Sequence, residues 1–343
     1  MAPPPDLVAA AQHHEADAPI TTGPAPAPAW ATVARAALLW LSQRQALQRL
    51  VAEVGPARAL ARRFVAGERR ADALATVRGL AAEGIRATVA YLGEHTTDPA
   101  LARAAAAENE RLLHGLAAEG WEPNCSLKLT QLGLSIDPAL AEEGLRRALA
   151  AAAAVRGFVR IDMEGSDVLP ATLALFERVT AGRPRPGRVG VVIQAYLRRS
   201  EGDLRRLIAT GAPVRLVKGA YAEPPSVAFA TKREVDAAYL RLAGLLLSPE
   251  AREAGVYPAF ATHDTALIGA IRRMTRDRAI PAENWEVQML LGVRRDLQRS
   301  LALDGVRVRA YVPYGDHWYP YFMRRLAERP ENLGFIVRQV VRR

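Results

Sequence analysis

The chain has 343 residues, half of them hydrophobic and 24% charged, a globular composition with enough length for one large or two ordinary domains. The lone Cys125 excludes an internal disulfide or a cysteine metal cluster, and apolar runs such as the alanines ending at Val155 are too short to span a membrane. The net charge of +10 comes from three lysines and 43 arginines set against 36 acids. The arginines are scattered and often stand beside glutamates, as in Glu142–Arg147 and Arg199–Arg206. Scatter of this kind is a solvated helix surface rather than a nucleic-acid stripe, and attraction to an anionic membrane surface is the main competing reading.

Residues 1–30 are rich in Ala and Pro, lack hydrophobic periodicity and carry no basic-then-apolar secretion signal, so they read as a disordered leader. Residues 31–82 carry helical patterning, clearest from Trp40, including WLSQRQALQRLVAEV and ARALARRFVAGE. From residue 83 to 343 the chain alternates. Strand-type runs are expected at 87–94, 125–133, 157–164 and 189–197, then at 213–221, 257–264, 285–290 and 306–315. Helix-period segments such as PALARAAAAENERLLHGLAAEG and DAAYLRLAGLLL lie between them. Eight strand–helix units over about 250 residues point to an α/β fold, a distorted (βα)8 TIM-type barrel preceded by helices. An open doubly wound sheet is the alternative, but no GxGxxG follows any strand.

A barrel of this kind builds its site at the carboxyl ends of its strands. The polar residues of the runs are therefore the candidates: Lys128, Gln131, Asp162, Glu164, Gln194, Arg215, Lys218, Thr262, His263, Asp264, Glu286, Gln288 and Tyr311. Alternation puts Asp162 and Glu164 on one side and sends only one of Arg215 and Lys218 into the lumen. Arg serves almost wherever a positive charge is wanted, yet Lys128, Lys218 and Lys232 remain Lys. A compact ammonium is not interchangeable with a guanidinium where space is tight or an anion is met end-on, so these positions carry a structural or chemical requirement.

Other groupings have ordinary readings. His263 with Asp264 is half of a metal or acid–base site, or else a satisfied buried histidine. No HxxxH or HxH spacing occurs among the histidines, so no metal centre is expected. Asp162 and Glu164 could do acid–base work or neutralise neighbouring cations. Arg324–Arg325 is one of nine Arg–Arg pairs, but Pro320 places it early in the last helix and near the rim of the site. The cluster Trp318, Tyr319, Tyr321 and Phe322 reads as core packing.

Seven strings in order, SLKLTQLGL, RIDMEGS, VVIQAYLRRSEGDL, VRLVKGAYAEP, FATHD, EVQMLLGVRRDLQ and YVPYGDHWYPYFMRRLAERPEN, resemble the proline dehydrogenase family of the monofunctional bacterial type, with RFVAGE and YLGE adding support upstream. The resemblance spans about residues 60–340. It implies a distorted (βα)8 barrel that holds non-covalent FAD and oxidises L-proline to 1-pyrroline-5-carboxylate by hydride transfer to the flavin. It further implies that electrons pass to a membrane quinone; with no spanning segment, a cytoplasmic protein meeting the inner membrane face peripherally is expected, and the scattered arginines argue for no nucleic-acid partner. By the same resemblance Lys128, Arg324 and Arg325 match groups that hold the substrate carboxylate. Arg215 matches the arginine beside flavin N5, Asp162 an active-site acid, Gln194 an isoalloxazine contact and Met163 a flavin backbone contact. Lys218, Gly219 and Ala220 match the cofactor-binding stretch, and Thr262, His263 and Lys232 the phosphate and ribose contacts. Tyr311 and Leu290 resemble the walls of the proline pocket, Tyr221 its edge, and Glu94 a gate that pairs with Arg324.

These roles suit the chemistry. Hydride transfer needs the reacting carbon about 3–3.5 Å from its acceptor, and fixed cations can hold a carboxylate in that pose. A cation at the flavin edge stabilises the charge that reduction develops. Two departures from the pattern stand out, Ala90 where many relatives carry an acid and Ala222 where some carry a larger residue. Two other classes compete: a barrel lyase with Lys218 or Lys128 as Schiff-base nucleophile, and a basic binding module.

Overall fold

A computed structural model describes residues 61–182 and 188–328, with side chains as far as Arg325. The leader, the helical pattern of residues 31–60 and the last 15 residues of the expected barrel region lie outside the described residues. After α1 (Arg70–Ala82) the chain forms β1 (Arg86–Tyr91), α2 (Pro99–Ala118), β2 (Asn124–Leu127), α3 (Pro138–Ala154), β3 (Phe158–Ile161) and α4 (Leu169–Thr180). There follow β4 (Val189–Gln194), α5 (Ser200–Ala209), β5 (Val214–Val217), α6 (Lys232–Leu246), α7 (Pro249–Glu253), β6 (Pro258–Ala261) and α8 (Thr265–Asp277). The described part ends with β7 (Glu286–Leu290), α9 (Arg295–Leu303), β8 (Val308–Tyr314) and α10 (Trp318–Glu328). The eight strands pair in parallel, each with the next, and β1 closes on β8.

Local chemistry starts the helices where they are needed. Asp98 and Asp137 each accept a hydrogen bond from the backbone N–H two residues on, and each is followed by a proline in the first turn. Asp264 caps α8 in the same way, and Thr231 with Glu234 forms a capping box on α6.

Strand alternation separates two interiors. Val89, Cys125, Val159, Ile161, Val191, Ile193, Val214, Leu216, Phe260, Val287, Met289, Val308, Ala310 and Val312 face outward into one apolar layer beneath the helices. The inward positions include a set of polar and equally buried residues: Thr88, Ser126, Arg160, Gln194, Arg215, Glu286, Gln288 and Arg309.

Buried charge is costly unless paired, and the lumen supplies the partners. Near the amino end, Arg309 donates to both oxygens of Glu286 at 2.8 and 3.1 Å, to Glu122 at 3.0 Å and to the Ala87 carbonyl at 2.8 Å. Arg160 reaches over Gly190 of the adjacent β4 to the carbonyls of Pro213 and Val191, at 2.7 and 3.2 Å. Burial, together with the nearby charge of Arg215, brings its pKa down to about 9.

The strands are shorter than their composition suggests. The runs expected to reach 133, 164, 221 and 264 end at Leu127, Ile161, Val217 and Ala261. After β2 the backbone turns immediately: the Lys128 carbonyl accepts from Leu132 N–H, Leu129 from Leu134, and Gly133 has φ +95°. After β5 the turn comes at Gly219, with φ +122°. Lys128, Gln131, Asp162, Met163, Glu164, Lys218, Tyr221, Thr262, His263 and Asp264 therefore sit past the strand ends rather than within strands.

Gly190 on β4 makes room for Arg160, since a Cβ there would lie 2.4 Å from both Arg160 Nη1 and the Pro213 carbonyl. Gly190→Ala is expected to lower stability by about 1–3 kcal/mol, read as a lower urea midpoint. An unchanged midpoint would show that Arg160 does not need that path.

Candidate active site

At the carboxyl ends of the strands the lumen column finishes in Arg215. Its Nε donates to Gln288 Oε1 at 2.5 Å, Nη1 to Asp162 Oδ1 at 2.7 Å and Nη2 to Ser126 Oγ at 2.9 Å. Asp162 accepts with its other oxygen from the Tyr311 hydroxyl at 2.9 Å, and the Arg215 guanidinium carbon lies 5.5 Å from the centre of the Tyr311 ring. Four strands, β2, β5, β7 and β8, and the residue just past the end of β3 thus fix one cation and one phenol at the mouth. Burial, reinforced by Asp162, pushes the Tyr311 hydroxyl well above its usual pKa, so it stays a donor.

Above this floor lies a ring of charges. Arg324 in the second turn of α10 donates to Glu94 in the β1–α2 loop at 2.5 Å. Burial pushes the Glu94 carboxyl up, but Arg324 and Lys128 outweigh it and hold the carboxyl below its ordinary value. Glu164 accepts from the Thr130 hydroxyl at 2.5 Å and from Thr130 N–H at 3.2 Å. Burial raises its pKa against the opposing charge of Lys128. The Tyr221 hydroxyl, raised by burial and then by Glu94 and Glu164, belongs to the same cluster. Arg325 stacks with its guanidinium carbon 5.2 Å from the centre of the Tyr321 ring. Leu290 and Tyr311 pack on a lobe formed by Phe64, Trp318, Tyr319, Tyr321 and Phe322, so these aromatics are core packing at the edge of the mouth.

Gln194 closes one wall. Its amide nitrogen donates to the carbonyls of Met163 at 3.1 Å and Glu164 at 2.8 Å, while its side-chain oxygen is buried without a hydrogen-bond partner. The side-chain oxygen of Gln131 is in the same state. Gly219 passes so close to Tyr196 that a Cβ would lie 2.1 Å from the ring. The glycine is what lets the Tyr196 ring pack against the backbone there.

The other conspicuous lysines form a second cluster. Lys218 contacts Asp236 at 2.6 Å and Asp264 at 3.1 Å, and Lys232 contacts the same two carboxylates. Arg215 thus faces the lumen while Lys218 turns to the helix layer. Engagement by two carboxylates leaves the Schiff-base reading without support at Lys218. His263 accepts the Leu290 N–H on Nε2 at 2.9 Å, and Asp264 N–H donates to Thr262 Oγ1. His263 is thus half-buried with one ring nitrogen already engaged, rather than fully buried. Asp162 and Glu164 share a side but not a partner.

Sequence reasoning missed Arg160, Arg309, Ser126, Thr130 and Asp236. A signal existed for two of them, because Arg160 and Arg309 stand two residues before Asp162 and Tyr311 on the same strand faces.

The Glu94–Arg324 pair joins α10 to the β1–α2 loop. Because its carboxyl is depressed, the pair contributes stability above the ordinary value of 4.5 and loses it only as pH falls through the lower folded value. Glu94→Gln should cost about 2 kcal/mol at neutral pH and speed amide exchange over Trp318–Arg325. The stability gap to the parent should close on acidification below that range; a gap unchanged down to pH 3 would refute the ion-pair assignment.

Three comparisons place this arrangement among known proteins. The profile of the family described as proline dehydrogenase matches residues 73–338. The chain is 38% identical over 309 residues to proline dehydrogenase 1 of Bacillus subtilis, covering 90% of this chain and 99% of that one. It is 40% identical over 286 residues to the proline dehydrogenase of Deinococcus radiodurans, covering 82% and 90% of the two chains. Among solved structures, proline utilization A from Bdellovibrio bacteriovorus, inactivated by N-propargylglycine, superposes with a TM-score of 0.72 at 28% identity. That match covers 79% of this chain and 32% of the other, so this chain spans about a third of that larger protein. With a profile match over most of its length, near full-length relatives and a shared barrel, the chain belongs to the proline dehydrogenase family.

Proposed function

We propose that this enzyme oxidises L-proline to 1-pyrroline-5-carboxylate using FAD held at the barrel mouth, and delivers the electrons to a quinone. Membership of the family supports the first step of proline catabolism, and the site supports the finer reading. The observation that carries it is the immobilised Arg215 at the floor of a mouth ringed by Lys128, Arg324 and Arg325. Proline brings a carboxylate and a ring nitrogen. Two guanidiniums and one ammonium can hold that carboxylate, the forks by paired hydrogen bonds and the ammonium as a point charge. Glu94 now occupies Arg324, so the substrate must displace it, which makes the ion pair a gate. Leu290 and Tyr311 flank the space where the ring would lie.

The residues present fit the cofactor. After its three hydrogen bonds Arg215 retains one N–H on each Nη for a ring edge that gains negative charge. The unpartnered Gln194 oxygen can accept from a ring imide N–H, and Met163 lies beside it. Gly219 and Ala220 stand in the stretch that the resemblance matches to cofactor binding. Lys218, Lys232, Thr262 and His263 stand where the phosphates and ribose would run, with Lys232 65% exposed and able to reach them. When bound, FAD supplies the hydride acceptor. The chain's own residues orient the substrate, exclude water and stabilise developing charge. Among the described residues no helix is long and apolar enough to cross a membrane, and the quinone would be met at a membrane surface.

The isolated protein should be yellow, and anaerobic L-proline should bleach its visible flavin band; a protein that cannot be loaded with FAD would contradict the proposal. Arg325→Met should raise the KM for proline by about tenfold or more with FAD still bound. Loss of flavin instead would show that Arg325 does not serve the carboxylate.

A further inference from the structure

We infer that Glu286 and Gln288 are a positioning pair, anchored by Arg309 at the amino end of the barrel, that sets the plane of Arg215 and thereby tunes the reduction of the bound flavin. This deepens the proposed function and rests on the flavin lying against Arg215.

The two residues are i and i+2 on β7 and both face the lumen, at 1% and 4% exposure. Glu286 is clamped by Nε and Nη2 of Arg309 and receives the Tyr257 hydroxyl at 3.3 Å. The Gln288 amide nitrogen donates to Glu286 Oε1. A carboxylate only accepts, so the Gln288 NH2 must face it and its carbonyl oxygen must face the other way. That oxygen takes the single N–H on Arg215 Nε. Orientation thus passes from a fixed ion pair through an amide to a guanidinium.

Asp162 and Ser126 hold the Nη atoms but leave the group free to pivot about the line between them; the Nε bond removes that freedom. The planar fork then presents its remaining donors in one direction. Preorganised donors stabilise developing charge without reorganising at the moment of reaction. None of the residues matched to the substrate carboxylate touches this pair, so its effect belongs on the hydride step rather than on proline binding.

The test compares Gln288→Met, Gln288→Glu and Arg215→Met holoenzymes with the parent by reduction potential and steady-state kinetics. Gln288→Met keeps an unbranched side chain but loses the acceptor. It should shift the flavin's reduction equilibrium about tenfold toward the oxidised form, about 30 mV for two electrons. kcat should fall about tenfold at every pH, with KM for proline within about threefold. Gln288→Glu restores an acceptor but sets a second carboxyl against Glu286, among Arg215, Arg309, Arg160 and Asp162. Two carboxyls at that distance share one proton. It should therefore keep kcat within about threefold of the parent at the acid end and lose it as pH rises, a profile that a purely structural residue would not produce.

If Arg215→Met shifts the potential and Gln288→Met does not, the positioning role is overturned while the flavin site stands. If neither shifts it, both the relay and the placement of the flavin against Arg215 fail. Should Gln288→Met not fold, Gln288→Glu decides alone, and a pH-independent kcat ratio to the parent refutes the inference.

Discussion

The structure turns on one buried cation. Arg215 is held in the lumen of a parallel barrel, and a guanidinium there is tolerable only if residues of other strands pair with it. Asp162, Ser126 and Gln288 bond it directly. Gln288 needs Glu286, Glu286 needs Arg309, and Arg309 reaches Glu122 near the amino end. The polar lumen follows from that chain of requirements, and the stability of the barrel falls instead to the apolar layer between sheet and helices.

The mouth inherits this rigidity. Strand ends and the Asp162–Tyr311 bond fix the floor, whereas the rim is assembled from loops and α10 through the ion pair between Glu94 and Arg324, which the proposed gate would exchange. A fixed floor suits the placement of a cofactor edge, and an exchangeable rim suits the entry and exit of a small zwitterion. The division matches a reaction in which charge develops in one place while a carboxylate must come and go.

Much of this was legible in the sequence. Alternation within VRLVKGAY put Arg215 and Lys218 on opposite sides, because period two is a property of the backbone, and their partners show that Arg215 is the one in the lumen. The retention of only three lysines pointed to Lys218 and Lys232, which share Asp236 and Asp264, and to Lys128 at the mouth. Strand ends were not legible: Lys128 to Gly133 keeps a β-like composition, yet Gly133 and the local turn hydrogen bonds end the strand at Leu127. Arg160 and Arg309 escaped notice for a related reason. In a chain with 43 arginines, a buried arginine looks like any other until the partners that justify its burial are known, and those partners lie up to 222 residues away.

A crystal structure of the oxidised, FAD-loaded protein with a cyclic carboxylate that cannot be oxidised tests the central proposal most directly. The expected result is an isoalloxazine edge on Arg215 and Gln194, with the carboxylate held by Lys128, Arg324 and Arg325 and the Glu94–Arg324 pair exchanged. A flavin seated away from Arg215, or a carboxylate bound elsewhere while those three cations point apart, would contradict it.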